Sequence, residues 1–253
     1  MTGRTSTMSS VLRAFTVLET LGEVNGAGPS ELAALLDIPK STAHAYLRTL
    51  AETGYVINDG GEYRLSYRFL KTGSQIKHQN GLFQVSEEFL KDLAEQTGEL
   101  VSLAVEQSGQ AVILHKTFGE RSLELGIYAG MTIPLHTNAT GKVILAHLPD
   151  ERTDEIIETR GLAQVTDETI TDEGTLRAEL DEIRERGYAV DWNQQVTGMG
   201  LIAAPILVDG RLDGAIGIVS PTGRIRNDSY QRTLLQKLQE TIDSITIKHR
   251  YGP

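Results

Sequence analysis

The chain has 253 residues, enough for one small and one medium-sized domain, and its formal net charge is −10. It contains no cysteine, which excludes disulfide bonds, thiolate nucleophiles and cysteine-ligated zinc. No stretch approaches the ~18 consecutive apolar residues of a membrane span, so we expect a cytoplasmic protein with no membrane partner. No motif predicts a metal site or a cofactor.

The first predicted element is a helix over residues 10–21. Residues 1–9 before it are polar, lack the apolar run of a signal peptide and predict a flexible tail. Apolar residues recur at helical spacing along the helix and predict one side that forms a wall of a small core: Val11, Leu12, Phe15, Leu18 and Leu21.

Residues 28–55 predict two short helices separated by a tight turn. Ser30 is placed to cap the first helix, and Pro39 ends it, because proline biases the preceding residue away from helical conformation. Ser41 is placed to cap the second helix, and Gly54 suits the positive φ angle of a helix end. Two helices joined in this way form a helix-turn-helix, which presents its second helix to the major groove of DNA.

The second of these helices carries side chains suited to DNA. Lys and Arg neutralise phosphates or read guanine, and hydroxyl groups donate to phosphates or base edges. No acidic residue lies between Asp37 and Glu52, so the helix is locally cationic. The alternative is an ordinary helical hairpin with a solvated polar face. We assign DNA contacts to Ser30 and to the polar residues of the second helix: Lys40, Ser41, Thr42, His44 and Arg48.

A β-hairpin is predicted directly after the second helix. Two strand-like runs within residues 55–65 flank an Asn-Asp-Gly-Gly turn signal at residues 58–61. A hairpin in this position makes the unit a winged helix-turn-helix. Arg64 and Arg68 lie on or just past the wing, where they either contact phosphates or point to solvent; we include Arg64 among the DNA-binding residues.

The acidic charge lies mainly in the second part of the chain. Residues 1–70 carry six Lys or Arg residues and seven acids, so the remainder carries −9 of the net −10. The strongly basic surface that is usual for DNA-binding domains is absent. A high-salt cytoplasm would explain an acidic DNA-binding protein, because salt screens the repulsion between like charges.

The remaining sequence predicts an α+β domain, in which helices are segregated around a largely antiparallel sheet. The polar residues 71–80 suit a linker or the start of a connecting helix. Helices are predicted over residues 82–98, 138–148, 150–159, 172–186 and 228–249. Strands are predicted over residues 101–105, 111–115, 123–127, 188–190, 200–208 and 215–219, with turns at 108–109 and 211–214. We place the domains at residues 1–70 and 82–253, joined by residues 71–81.

Four motifs in order along the chain are LA with PKSTAH (residues 32–33 and 39–44), PLHTNATGK (134–142), RGYAVD (186–191) and IAAPI (202–206). Together they resemble the IclR family of prokaryotic transcription regulators over nearly the whole length. The resemblance implies a winged-helix domain, a dimerising connecting helix and a GAF-like effector-binding domain in a homodimer or homotetramer. It also implies double-stranded promoter DNA as a partner and control by a small molecule, such as a carboxylate, an aromatic acid or a sugar derivative.

The resemblance also implies an effector site. Thr140 and its neighbour at residue 139 would contact the effector, with polar groups from Asp191 and Ser220. Family members that keep a second serine in the strand before Ser220 have a more polar pocket, whereas this chain has Gly217 and Val219 there. We therefore expect a different ligand. The complete implied set is Leu125, Ile133, Ala139, Thr140, Asp191, Met199, Leu201 and Ser220.

Residues 140–142 resemble the end of a phosphate-binding loop. That loop needs a glycine five residues before Gly141, where this chain has His136, so the loop is rejected. The segment still opens a helix, whose free N–H groups would hold an anion unless it is a plain helix start.

Two further classes of function compete with a regulator. The histidines at residues 115, 136 and 147 are scattered, and no motif such as GxSxG or HExxH organises them, so an enzyme is the weaker hypothesis. The other alternative is a winged-helix protein that assembles protein partners without a small-molecule effector. Such a protein would bind DNA weakly and would not respond to a ligand.

Overall fold

The computed structural model describes residues 7–252. The chain divides into two compact units, Met1–Ile76 and Lys77–Pro253. The division falls inside the segment predicted to connect the two domains. Most of the predicted polar tail, residues 1–6, lies outside the described residues, and the first helix begins at Ser9.

Three helices and a two-stranded hairpin form the first unit. Apolar side chains from all five elements meet in one small core, among them Val17, Leu32, Leu47, Val56 and Tyr63. The strands pair antiparallel through a turn at Gly60 and Gly61. The predicted winged helix-turn-helix is thus confirmed. Its elements are α1 Ser9–Glu23, α2 Pro29–Leu35, α3 Lys40–Glu52, β1 Val56–Asp59 and β2 Glu62–Leu65.

The two predicted serine caps are wrong. Helix α2 begins at Pro29 with Gly28 as its N-cap, and α3 begins at Lys40 with Pro39 as its N-cap. Neither cap makes a side-chain hydrogen bond. Ser30 and Ser41 therefore lie one residue inside their helices. At the start of α2 the proline itself favours helix, because its φ angle is fixed near the helical value and it has no N–H to satisfy.

The predicted buried side of α1 is wrong in part. Leu21 is buried and Leu18 partly so, but Val11, Leu12 and Phe15 are 47%, 57% and 60% exposed. Val17 completes the buried side instead. The helix carries two overlapping apolar stripes, each with helical spacing, and periodicity alone does not show which one packs within the unit.

The polar segment after the hairpin is helical. Helix α4, Arg68–Gln79, spans the division between the units and buries none of its residues. Its large apolar side chains Leu70 and Ile76 are 65% and 63% exposed. Within the described residues, no helix is both long and apolar enough to span a membrane.

The second unit is an α+β domain, as predicted. A six-stranded antiparallel sheet has the order β5-β4-β3-β8-β7-β6. The strands are β3 Leu100–Gln107, β4 Gln110–Phe118, β5 Thr132–Pro134, β6 Ala189–Trp192, β7 Met199–Val208 and β8 Arg211–Pro221. The helices are α5 Gly81–Thr97, α6 Ala139–His147, α7 Asp150–Arg160, α8 Glu173–Arg186, α9 Thr222–Ile225 and α10 Asp228–Tyr251.

The sheet buries both faces. Val101, Ile202 and Ile218 belong to the core on the side of α5 and α10. Their chain neighbours Leu201 and Val219 belong to the opposite core, with α6, α7 and α8. Successive side chains of a strand point to opposite faces. A one-residue shift of any strand would therefore move each of its side chains from one core to the other.

Two elements of the second unit differ from prediction. The predicted strand at residues 123–127 is irregular, and Gly126 there has a φ angle of +68°. The edge strand is β5 instead, which pairs with β4. The predicted turn at residues 211–214 lies earlier, at Asp209 and Gly210 with φ angles of 51° and 76°. Those two positive angles suit the turn of a two-residue hairpin, so β8 begins directly at Arg211.

Candidate effector pocket and nucleic-acid interface

A cavity of about 70 Å³ lies between the sheet and the N-terminal end of α6. Strands β3, β4, β5, β6, β7 and β8 all contribute side chains to it, as do the irregular residues 125–131 and the segment after β6. Its walls are mostly apolar. The lining residues are Ser102, Ala111, Ile113, Leu125, Ile127, Met131, Ile133, Asn138, Thr140, Asp191, Gln195, Val196, Met199, Leu201 and Val219.

Six of the eight predicted effector residues line this cavity, and two do not. Of those two, Ala139 acts indirectly: its backbone N–H donates to the lining residue Asp191. Ser220 lies on the other face of the sheet, where its hydroxyl donates to Glu99 Oε1 at 2.9 Å. Its neighbour Val219 faces the cavity instead, because side chains alternate along β8. The assignment of Ser220 to the pocket was therefore wrong by one residue.

The N-terminal end of α6 is already satisfied by the protein's own side chains. The Ala139 N–H donates to Asp191 Oδ2 at 2.5 Å, and the Gly141 N–H donates to the side chain of Asn138 at 2.8 Å. Two of the N–H groups that the sequence left free for an anion are thus occupied. The carboxylate of Asp191 takes the position next to the positive end of the helix dipole.

Asp191 is nearly fully buried, with 2% of its surface exposed. Burial raises the pKa of its carboxyl to about 6, because removal from water penalises the charged form. The nearby ammonium of Lys142 and the Ala139 N–H oppose this rise, whereas Glu179 adds to it. The carboxyl group therefore changes charge close to neutral pH.

Lys142 is a fully buried cation just outside the cavity lining. Its Nζ atom donates to Glu179 Oε1 at 2.5 Å and to Gln194 Oε1 at 2.8 Å. A buried charge requires such partners, because desolvation is otherwise costly. The preceding Gly141 packs on the backbone of Leu135 so closely that a Cβ atom would clash. In residues 140–142, which resemble the end of a phosphate-binding loop, Gly141 therefore allows close packing and Lys142 forms a buried ion pair.

Residues 193–198 form a covering segment on one side of the cavity. Gln195 and Val196 line the cavity from this segment, and Asn138 Nδ2 donates to Gln195 Oε1 at 2.5 Å. The carbonyl oxygen of Gln194 accepts from Thr169 Oγ1 at 2.7 Å. Positive φ angles at Asn193 and Gly198, 60° and 87°, turn the chain at both ends. The side-chain contacts from α6 and from residue 169 thus hold the segment in place.

Nine lining residues were not predicted. Strand alternation could not have identified Ser102 and Ile113, because no predicted effector residue lies on β3 or β4. On β8 the predicted Ser220 points to the face opposite Val219, so alternation counted from it misses Val219. No sequence signal marked the residues of irregular segments, because only the folded chain brings them to the cavity. The nine are Ser102, Ala111, Ile113, Ile127, Met131, Asn138, Gln195, Val196 and Val219.

A polar network lies behind the cavity wall, around the fully buried Glu99. Its carboxylate accepts from Ser220, from the Tyr230 hydroxyl at 2.6 Å and from Arg224 at 2.7 Å. Burial and the hydrogen bond to Glu99 raise the pKa of Tyr230 to about 12. These contacts join the residue just before β3 to β8, α9 and α10. The burial of Ser220 therefore has a purely structural explanation.

The three scattered histidines do not come together. His115 Nδ1 contacts Lys77 Nζ at 3.0 Å, His136 Nε2 contacts the Ala163 carbonyl at 2.9 Å, and His147 contacts the Val143 carbonyl. Burial lowers the pKa of both His115 and His136. Among residues 7–252, no cluster of three or more potential metal ligands occurs.

In the first unit, α3 presents its polar residues on the surface. Lys40, Ser41, His44 and Arg48 are exposed, and Thr42 is half-buried. Arg48 lies 3.7 Å from Glu52 in a solvent-exposed pair, which is a weak interaction. Ser30, on α2, is also exposed.

The two arginines near the hairpin differ in their contacts. Arg64 pairs with Asp59 at 3.2 Å and with Glu62 at 3.3 Å, both on the hairpin. Arg68 donates to the Thr53 carbonyl at 2.5 Å and lies over the Tyr55 ring. Arg68 therefore secures the base of the hairpin.

Both units match known protein families. Residues 10–60 match the IclR helix-turn-helix domain, and residues 74–247 match the bacterial transcriptional regulator IclR C-terminal domain. The chain belongs to the IclR family. In this IclR-family protein, the helix-turn-helix match contains α2, α3 and nearly all of α1, and the C-terminal match contains every residue of the cavity.

Relatives agree with this assignment over almost the full length. The chain is 29% identical to the Halobacterium salinarum protein named Probable HTH-type transcriptional regulator ArcR, covering 97% of this chain and 95% of that protein. The Thermotoga maritima IclR structure gives a TM-score of 0.78 at 27% identity, covering 97% and 100% of the two chains. An IclR homologue from Microbacterium hydrocarbonoxydans, complexed with 4-hydroxybenzoate, gives 0.80 at 23% identity, covering 95% and 98%.

This IclR-family chain is a DNA-binding transcription regulator with an effector domain. Its relatives are named as transcription regulators or repressors and not as enzymes.

Proposed function

We propose that this protein binds a pseudo-palindromic promoter site as a homodimer or a pair of dimers, and that a small molecule in the cavity changes its affinity for that site. The promoter would serve a catabolic or central-carbon pathway, and the protein would act in the cytoplasm. The observation that carries the proposal is the cavity around Asp191 in the effector domain. The 4-hydroxybenzoate bound by the Microbacterium homologue supports a small organic effector.

The exposed face of α3 supports DNA contacts. Lys40 stands at the first residue of the helix, where its charge and the positive end of the helix dipole both attract phosphate. Ser41, Thr42, His44 and Arg48 extend this surface along the helix. Ser30 would add a contact from α2. Arg64 would leave its exposed pairs on the hairpin to bind phosphate, which costs little at the surface.

The apolar stripe of α1 that stays exposed within the first unit supports a homodimer. Met8, Val11, Leu12 and Phe15 are all at least 47% exposed, at the spacing of one helix face. Apolar residues grouped on one helix face are typical of interaction surfaces. A two-fold dimer would place two copies of α3 in successive major grooves, about 34–36 Å apart.

Effector binding would act through the difference in its affinity for two states of the dimer. A coupling free energy of about 1–3 kcal/mol changes DNA affinity about 5–150-fold. Whether the result is repression or activation depends on where the site lies relative to the promoter.

The first test is genome-wide occupancy of DNA by the protein in its own host, grown on two carbon sources. We expect sharp peaks at promoters of one pathway, with occupancy that differs between the two conditions. Gel shifts on a recovered promoter then compare the wild type with Asp191→Ala. The variant should bind DNA normally and lose the response to ligand. Broad or absent occupancy under both conditions would favour the protein-assembly alternative.

A further inference from the structure

The cavity offers no positive charge to a ligand. Among its described lining residues, Asp191 is the single ionisable one, and it is an acid. The buried Lys142 does not line the cavity, and its ammonium is held by Glu179 and Gln194. A carboxylate ligand would therefore enter without a cation to pair with.

The positive end of helix α6 is also taken. The Ala139 N–H donates to Asp191, and the Gly141 N–H donates to Asn138. A carboxylate ligand would have to displace the protein's own carboxylate from this position or lie beside it. Two like charges in a site removed from water repel strongly, because little solvent screens them.

The polar groups that do line the cavity favour hydrogen-bond donors on the ligand. Thr140 Oγ1 is buried and has no hydrogen-bond partner in the described structure, which is costly unless a ligand or water supplies one. Ser102 adds a second hydroxyl, and the carboxyl group of Asp191 is an acceptor. Gly217 leaves room for Thr140, because a Cβ atom there would clash with Oγ1.

The remaining walls and the size restrict the ligand further. Side chains such as Ile113, Leu125, Met199, Leu201 and Val219 form apolar walls. The cavity volume of about 70 Å³ restricts the ligand to a compact molecule. A compact molecule with one polar end and one apolar end fits these limits.

We propose that the effector is a compact, uncharged molecule that presents O–H or N–H donors to Thr140, Ser102 and Asp191 and an apolar portion to the opposite walls. This inference rests on the proposed function, since it names the chemical class of the effector of that same cavity. Of the three classes implied by the family resemblance, the proposal disfavours the carboxylates and the aromatic acids.

The test is a pair of probes with nearly the same shape, isobutyramide and isobutyrate. The amide is neutral and carries N–H donors, whereas the acid is anionic at about pH 8. Binding of each to the full-length wild-type protein is measured by ligand-detected NMR and calorimetry. We expect the amide to bind at least about tenfold more tightly. Tighter binding of isobutyrate, or no saturable binding of isobutyramide up to about 100 mM, overturns the proposal.

A matched pair of variants locates the binding. Thr140→Val removes the unpartnered hydroxyl at nearly constant volume and should weaken amide binding about tenfold. Thr153→Val changes an equally buried threonine outside the cavity, whose hydroxyl donates to the Leu145 carbonyl, and should leave amide binding unchanged. Equal effects of the two variants would overturn the assignment to this cavity.

Asp191→Asn tests the role of charge. Removing the negative charge should narrow the preference for the amide, because isobutyrate then meets no charged group among the lining residues. Outside the lining, Lys142 and Glu179 remain as neighbouring ions of opposite sign. An unchanged preference for the amide overturns the electrostatic argument.

Gel shifts with promoter DNA distinguish failure of the ligand class from failure of the proposed function. If the protein binds its promoter and a carboxylate releases it, the proposed function stands and the ligand class fails, whereas absence of specific DNA binding defeats the function itself.

Discussion

The first unit carries its proposed DNA-contacting side chains on the outside of one helix, whereas the second unit encloses the polar side chains in and around its cavity. Lys40 and Arg48 are exposed and make at most weak surface pairs. Asp191 and Lys142 are buried, and each depends on partners from several elements. We therefore expect substitutions in the first unit to change DNA binding with little change in stability. In the second unit, substitutions should change ligand response and stability together.

The largest expected effect is at Lys142. Lys142→Ala leaves Glu179 without its cation, and the free energy of unfolding of the second unit should fall by about 3 kcal/mol or more. Lys91→Ala removes an exposed lysine that lies 3.7 Å from Glu95 and should cost less than about 0.5 kcal/mol. Denaturant unfolding measures both. Similar losses of unfolding free energy for the two variants would show that burial does not make the Lys142 ion pair more important to stability than the Lys91 pair.

The next effect concerns pH. Burial raises the pKa of Asp191 from 3.8 in the unfolded chain to about 6 in the folded one, so the folded state binds the proton more tightly. Stability contributed by this group is therefore greatest below about pH 4 and is lost as pH rises through about 6. The difference in unfolding free energy between wild type and Asp191→Asn should change by up to about 3 kcal/mol across that window. A difference in unfolding free energy that does not change with pH would contradict the raised pKa of Asp191.

A smaller effect is expected on DNA. The double variant Lys40→Ala with Arg48→Ala should weaken promoter binding about tenfold or more and reduce the salt slope by roughly 0.9 for each phosphate that is no longer neutralised. Its unfolding free energy should remain within about 0.5 kcal/mol of wild type, since both side chains are exposed. Arg13→Ala removes an exposed cation of α1 and is the control in gel shifts at several salt concentrations. Unchanged binding by the double variant would remove both residues from the interface.

The smallest effect distinguishes a real helix cap from a predicted one. The side chain of Asn138 accepts from the Gly141 N–H, so Asn138→Ala should cost about 1–2 kcal/mol. Ser41 makes no cap hydrogen bond, so Ser41→Ala should cost less than about 0.5 kcal/mol. Thermal unfolding compares the two. A larger loss for Ser41 would restore it as the cap of α3.

The lining of the cavity could be predicted only in part from sequence patterns. Strand alternation explains why Leu201 and Val219 share a core, yet the family resemblance implied Ser220 as a pocket residue. The apolar pattern of β8 does not show which face Ser220 takes, because both faces of the strand are buried. Residues 123–127 alternate like a strand but lie irregularly, and Leu125 and Ile127 still line the cavity. An alternating pattern reports that one side is buried, and it does not require hydrogen bonding to a neighbouring strand.

Sequence patterns were sufficient to predict the two units, the winged helix-turn-helix, most helices and strands of the second unit, and the family. These features follow from local periodicity, turn residues and short motifs, which act over a few residues. Three features became visible only in the folded chain: the buried stripe of α1, Asp191 at the N-terminal end of α6, and Gln195 and Val196 in the cavity lining. Those outcomes depend on contacts between residues far apart in the chain, where geometry and desolvation select among arrangements that the local pattern leaves equal.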